Sequence, residues 1–219
     1  MTTKKAYPPK RVKKMGRILI ISLLSLGCSN NIKIKKSTDN PLLDVLYKKD
    51  IEIRELDAKT DTVNLEKYDK IHRDKVFQLL SDNKVVTPKD KMKAAWILQH
   101  TAAKSCDGEL TSISPENFLL AYHLSSSALN ELNDKKDSST IKKENISRIV
   151  ALNEDRYLLF TYGYQKYGTQ FVFDDKSGEM LLAPIDTTLA NDVDRKKHQV
   201  EPLKTLLSKY KMKVFLKSE

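Results

Sequence analysis

The chain has 219 residues, 40% apolar and 31% charged: enough for one domain with a real core, too few for two large ones, and unlike a disordered chain. Its net charge of +10 points to an acidic polymer as partner only until it is mapped, because residues 1–27 hold seven Lys/Arg and no acid, and the other 32 basic and 29 acidic residues leave a net of +3. The basic surplus belongs mainly to the N-terminal segment, so nucleic acid is not expected as a partner.

That segment has the order of a targeting signal. Arg11 to Arg17 form a basic head, Ile18–Leu26 an apolar run of nine residues, and Gly27-Cys28 is followed by the polar Ser29-Asn30-Asn31. A nine-residue helix falls well short of a hydrocarbon core about 30 Å thick, which fits a signal sequence better than a permanent span. Gly27-Cys28 resembles a bacterial lipobox. The resemblance implies cleavage before Cys28, lipidation of Cys28, and residence in the cell envelope as a membrane-anchored lipoprotein. The alternative is an apolar helix of the domain with a chance cysteine. Lys33, Lys35 and Lys36 make the following stretch basic, which favours the periplasmic face. The expected division is a signal peptide over 1–27, a tether over 28–39 and a single helical domain over 40–219. Beyond Cys28 only Cys106 remains, so no internal disulfide can form.

Asn40-Pro41 predicts the start of a first helix, with Leu42, Leu43, Leu46, Ile53 and Leu56 as its apolar stripe. A second helix is expected over about Asn64–Leu80, its apolar positions including Leu65, Tyr68, Ile71, Val76 and Leu79. Thr87-Pro88 opens a third, over about Lys89–Ala103, with Gln99 and His100 on its apolar surface. Ser114-Pro115-Glu116 opens a fourth, where Phe118, Tyr122, Ser125, Leu129 and Leu132 recur at helical spacing. Asp134–Ser139 reads as a charged linker, and a fifth helix as about Ile141–Tyr162, ending near Gly163. The period then changes: Gln170–Phe173 reads as a strand, Asp174–Gly178 as a turn and Glu179–Leu182 as the return. Short helical segments are expected around 191–198 and 202–210. The fold class is mainly α, a domain of about five to seven helices with a small β-hairpin near the C-terminus.

The fifth helix carries an anomaly. Asp155 and Arg156 stand among Leu152, Leu158, Leu159 and Phe160. Ions so placed face a desolvation cost of several kcal/mol each unless other elements supply partners. His100 and Gln99 are candidate partners, as are Gln165 and Gln170. Two readings follow: a site with Asp155 orienting His100 and Arg156 receiving an anionic group, or a buried network that fixes helix register.

Several strings occur in a telling order: Ala95–His100, Glu154-Asp155-Arg156, Gln165-Lys166-Tyr167-Gly168-Thr169-Gln170, Pro184-Ile185, Val193-Asp194-Arg195 and Pro202-Leu203, preceded by Asp50 and Arg54 four apart. Together they resemble the bacterial domain-of-unknown-function family numbered 6624, over about residues 41–210. The resemblance implies that His100, Asp155, Arg156, Gln165, Tyr167 and Gln170 belong to one centre. It assigns no reaction.

Other chemistries find no support. Gly163–Thr169 has the spacing of a phosphate loop but lacks the lysine after its second glycine and runs from helix to strand. There is no His-Glu-x-x-His, Cys-x-x-Cys or Gly-x-Ser-x-Gly, and His72, His100, His123 and His198 are too scattered to pair as metal ligands. No metal or cofactor is expected. The function read from the sequence is an envelope lipoprotein whose domain binds an unknown protein or small molecule, or is structural. The alternative is a hydrolase-type enzyme with His100 as general base, Asp155 as its orienter and Arg156 as anion binder; Gln99, Gln165, Tyr167 and Gln170 are the further binding candidates.

Overall fold

A computed structural model describes residues 38–101, 103–106, 109–112, 114–175 and 177–213, which lie within one compact unit. The signal segment, Cys28 and most of the expected tether lie outside the described residues. Among the described residues, eight helices and two antiparallel hairpins follow one another. The mainly helical class and the C-terminal hairpin are as the sequence indicates.

Helix α1 (Pro41–Thr60) starts where expected: Asn40 caps it by accepting from Leu42 N, and Pro41 needs no amide partner. The expected tether is already docked at its end, because Asp39 accepts from Thr87 Oγ1 at 2.8 Å. Helix α2 (Leu65–Ser81) is capped by Asn64, and α3 (Pro88–Leu98) by a Thr87–Asp90 capping box. Buried Asp90 also accepts from the Asn40 amide at 2.8 Å, and buried Lys93 pairs with Asp44, so α1 and α3 are tied together at their beginnings. Leu43, Leu46, Val76, Leu79, Ile97, Leu98 and Ala121 form the main core. Leu42, Leu56, Tyr68 and Ile71, read as inward from their spacing, are exposed.

Helix α3 stops about five residues short of the expected end. The carbonyls of Gln99 and His100 are taken by the guanidinium groups of Arg156 and Arg73 instead of by the next helical turn. The chain then forms a hairpin that the sequence reading missed, β1 (Ala103–Cys106) with β2 (Glu109–Ser112). Helix α4 (Glu116–Asp134) buries Ala121, Ser125 and Ala128, whose small side chains admit α3 and α6 closely. The expected fifth helix is two: α5 (Ser138–Lys143) and α6 (Ile146–Tyr162), separated where Asn145 takes a left-handed backbone at φ 50°. Helix α6 ends at Gly163, also left-handed, and leads into the loop 164–170.

Strands β3 (Phe171–Asp174) and β4 (Glu179–Leu182) pair in antiparallel register, Phe171 opposite Leu182. Their turn is shaped by Asp174, which accepts from the Ser177 amide and hydroxyl, and by left-handed Gly178. Two short helices, α7 (Asp192–Lys197) and α8 (Leu203–Lys209), close the described chain. Among the described residues no helix is long and apolar enough to cross a membrane.

Candidate functional site

Asp155 is fully buried on α6 and does not meet His100. Its Oδ1 accepts from the amides of Lys166 and Tyr167, both at 2.7 Å, and its Oδ2 from the Thr169 amide at 2.9 Å and hydroxyl at 2.8 Å. Four donors converge on one carboxylate, and they come from the loop that follows its own helix. Burial raises its pKa above the ordinary value against the pull of these donors. The expected role of Asp155 as orienter of His100 is therefore corrected. Three of its donors are backbone amides that the tight loop cannot otherwise satisfy, so the carboxylate is used up in holding 166–169.

Gln165 does the complementary work. It is fully buried, donates Nε2 to the carbonyls of Gln170 and Ala183, and accepts from the Gln170 amide. These bonds tie the loop to the hairpin end of β4. Tyr167 is buried with its ring 4.6 Å from that of His198. Neither Gln165 nor Tyr167 bonds His100: both belong to the loop that Asp155 holds, while Gln170 of the same loop reaches Arg156.

His100 follows α3 and is held by α1. Its Nδ1 lies 3.0 Å from Asp50 Oδ2. Asp50 is almost fully buried and also accepts from Trp96 Nε1 at 3.2 Å, while His72 Nδ1 lies 3.6 Å from its other oxygen. Arg54, one turn along α1, places Nε 3.4 Å from Asp50 Oδ2 and 3.1 Å from His100 Nδ1, and its Nη2 bonds Asp69 of α2. One ring nitrogen cannot both donate to Asp50 and accept from Arg54. The carboxylate is the stronger acceptor, so Nδ1–H donates to Asp50 and the Arg54 Nε–H turns to the same carboxylate.

The electrostatics follow from this packing. Burial pushes the Asp50 carboxyl up, but His100 and Arg54 outweigh it and hold the group below its ordinary value. Burial raises Asp69, with Arg54 opposing. For His100, burial disfavours the charged form more than Asp50 supports it, and its pKa is lowered. The ring packs edge-on to Trp96 with centroids 5.7 Å apart.

The ligand atoms of Asp50, Asp69 and His100 all lie within 4.8 Å of one another, a set that a divalent cation could use. The expectation of no metal-ligand grouping rested on histidine spacing, and the structure builds this group from two aspartates and one histidine on separate elements. Arg54 lies among the three, its guanidinium bonded or close to each of them, and a metal there would displace it.

Arg156, half-buried on α6, completes the centre. Its Nε donates to Gln170 Oε1 at 3.0 Å and its Nη1 to the Gln99 carbonyl at 2.6 Å. Both acceptors are neutral, and among the described residues no carboxylate pairs with it. Burial, with the repulsion of nearby Arg54, lowers its pKa to about 10. Gln170 is oriented by donating its own Nε2 to Thr169 Oγ1. Thus Gln99, Gln170, Arg156 and His100 do lie together, with Gln99 contributing its carbonyl. Arg73 bonds the His100 carbonyl and, with Thr101, lines a neighbouring cavity of about 610 Å³ whose other walls include Asn64, Lys67, Lys70 and Asn117.

Asp69, Arg73 and His72 were missed, and Asp50 and Arg54 were noticed only through the resemblance. A signal for Asp50 was present: it continues the Leu43–Leu46 spacing, so a carboxylate stands in the apolar stripe of α1, with Arg54 four residues on. Asp69, His72 and Arg73 share the helical spacing of Val76 and Leu79 on α2, and that face was hidden by Tyr68 and Ile71, which are exposed. Cys28 lies outside the described residues. Comparison of the chain with protein-family models, with curated proteins and with solved structures finds no match.

Proposed function

We propose that the chain is a membrane-anchored lipoprotein of the bacterial cell envelope whose helical domain binds a small anionic ligand at the α1–α3–α6 centre. The anchor rests on the basic head, the nine-residue apolar run and Gly27-Cys28. The matching strings support placing the chain with the family numbered 6624, and no activity comes with that placement.

One observation carries the binding reading: Arg156 is half-buried, bonded only to neutral oxygens, and repelled by Arg54. Taking a guanidinium out of water without a counter-ion costs several kcal/mol. A carboxylate or phosphate group supplied by a ligand offsets that cost and meets a planar donor fork already oriented by Gln170. The test uses Trp96, the chain's one tryptophan, whose indole bonds Asp50 beside His100. Acetate and inorganic phosphate are titrated at constant ionic strength. A saturable change in Trp96 emission that is lost in Arg156→Met is expected. No change with either anion, or an equal change in the variant, would overturn the reading.

A second reading is favoured by the 3.0 Å Asp50–His100 contact: a hydrolase-type centre in which Asp50, not Asp155, orients the imidazole for proton transfer through Nε2. The lowered pKa keeps the ring neutral at pH 7, as a general base requires. Under this reading His100→Gln abolishes turnover of an anionic ester while Arg156→Met raises KM. Activity that survives His100→Gln excludes it.

A further inference from the structure

A second constellation lies across the 165–170 loop from Arg156. Arg195 of α7 is 1% exposed, and its Nε donates to the Glu201 carbonyl at 2.6 Å. The nearest carboxylate oxygen paired with it, on Asp192, is 3.9 Å from Nε and belongs to an exposed side chain. The Nη2 atom is buried and, among the described residues, has no hydrogen-bond partner. A buried donor left in this state costs about 1–3 kcal/mol, more when it belongs to a charged group.

Arg195 also lines a cavity of about 220 Å³, together with Arg148, Tyr167, Thr169, Glu201 and Tyr210. Glu201, whose carboxylate is engaged by Lys209, is the one acid in the walls beside two arginines; the charges of Asp192, Asp155 and Glu201 reach Arg195, but no carboxylate hydrogen-bonds its guanidinium among the described residues. Arg148 is exposed and spends one donor on the Gln199 carbonyl at 3.3 Å. Phe171 and Tyr210, which meet edge to face at 4.8 Å, also line the cavity.

We propose that this cavity is a binding site for a small organic oxyanion, a carboxylate or a phosphate monoester, held by Arg195 and Arg148 with its apolar body against Tyr210 and Phe171. The volume is below the usual span for drug-sized ligands, roughly 300–1,000 Å³, so the occupant is a small molecule and not a polymer segment. The loop that Asp155 pins supplies Tyr167 and Thr169 to the cavity on one side and Gln170 to Arg156 on the other. The site is distinct from the proposed one at Arg156 and stands or falls independently of it.

Isothermal titration calorimetry on the full chain, with phenylacetate and phenyl phosphate as probes, tests the proposal. In Arg156→Met, which removes the other proposed anion site, one saturable event is expected to remain; adding Arg148→Gln weakens it about ten-fold, equivalent to about 1.4 kcal/mol, and adding Arg195→Gln abolishes it. Which probe binds separates carboxylate from phosphate recognition. Arg148→Gln changes an exposed side chain and decides the matter even if Arg195→Gln fails to fold. Absence of binding by both probes at about 10 mM, or equal affinity in Arg148→Gln, overturns the proposal.

Discussion

Asp50 and His100, fifty residues apart in the chain, are joined at 3.0 Å through Oδ2 and Nδ1, and Trp96 and Arg54 bond the same carboxylate. The carboxylate expected in that role, Asp155, is committed to four donors of the 166–169 loop. The two acids thus have opposite jobs, and variants should separate them.

Asp155→Asn places an amide NH₂ among donors and removes charge from a fully buried acceptor. A loss of about 2–4 kcal/mol is expected by urea denaturation. His100→Gln keeps a donor for Asp50 and should cost only about 1 kcal/mol. Equal losses in the two variants would contradict the separation.

The His100 centre should also respond to acid. Its folded pKa lies below its ordinary value of 6.5, so the unfolded chain binds the proton more readily. The contribution is complete above pH 6.5 and declines as pH falls through the folded pKa. Asp50, held below its ordinary value, adds a loss at lower pH, as the folded-state pKa is crossed. Trp96 fluorescence, sensitive to the imidazole edge-on beside it, should titrate with a midpoint below 6.5, and His100→Gln should remove that step.

Two glycines with similar backbones should differ in tolerance. Gly163 and Gly168 have φ of 78° and 75°, but a Cβ on Gly163 meets nothing within 4 Å, whereas one on Gly168 would lie 2.4 Å from Leu206 Cδ2 and 2.8 Å from Ile185 Cδ1. Gly163→Ala should cost about 1 kcal/mol, from the left-handed backbone alone. Gly168→Ala adds overpacking and should cost about 3 kcal/mol or more. Thermal unfolding of both variants makes the comparison.

The anchor assignment has a separate check. Cys28→Ser should block incorporation of labelled fatty acid and leave an uncleaved precursor. Continued labelling of that variant would show that Cys28 is not the attachment point.

The helix starts were legible because their signals are local: Asn40-Pro41, Thr87-Pro88 and Gly163 act through caps and fixed dihedrals within a turn. The end of α3 was not, because Arg73 and Arg156, distant in sequence, take the carbonyls that would have continued it. The same reason hid the true partner of His100. Burial of Asp155 and half-burial of Arg156 could be inferred from their apolar neighbours, but spacing does not say which carboxylate reaches which imidazole. Asp50 was readable as a charged residue in an apolar stripe, while Asp69 and His72 join it only through the packing of α2 on α1.

The central claim is that Arg156 waits for an anion from outside the chain. The most direct measurement is the ¹H–¹⁵N resonance of the Arg156 Nε–H group, identified by its absence in Arg156→Lys and followed while acetate or phosphate is added at fixed ionic strength. A saturable displacement of that resonance, with a smaller one for Arg54 Nε–H, is the predicted result. A resonance that stays in place throughout both titrations would mean that Gln170 and Gln99 are the only partners this guanidinium has.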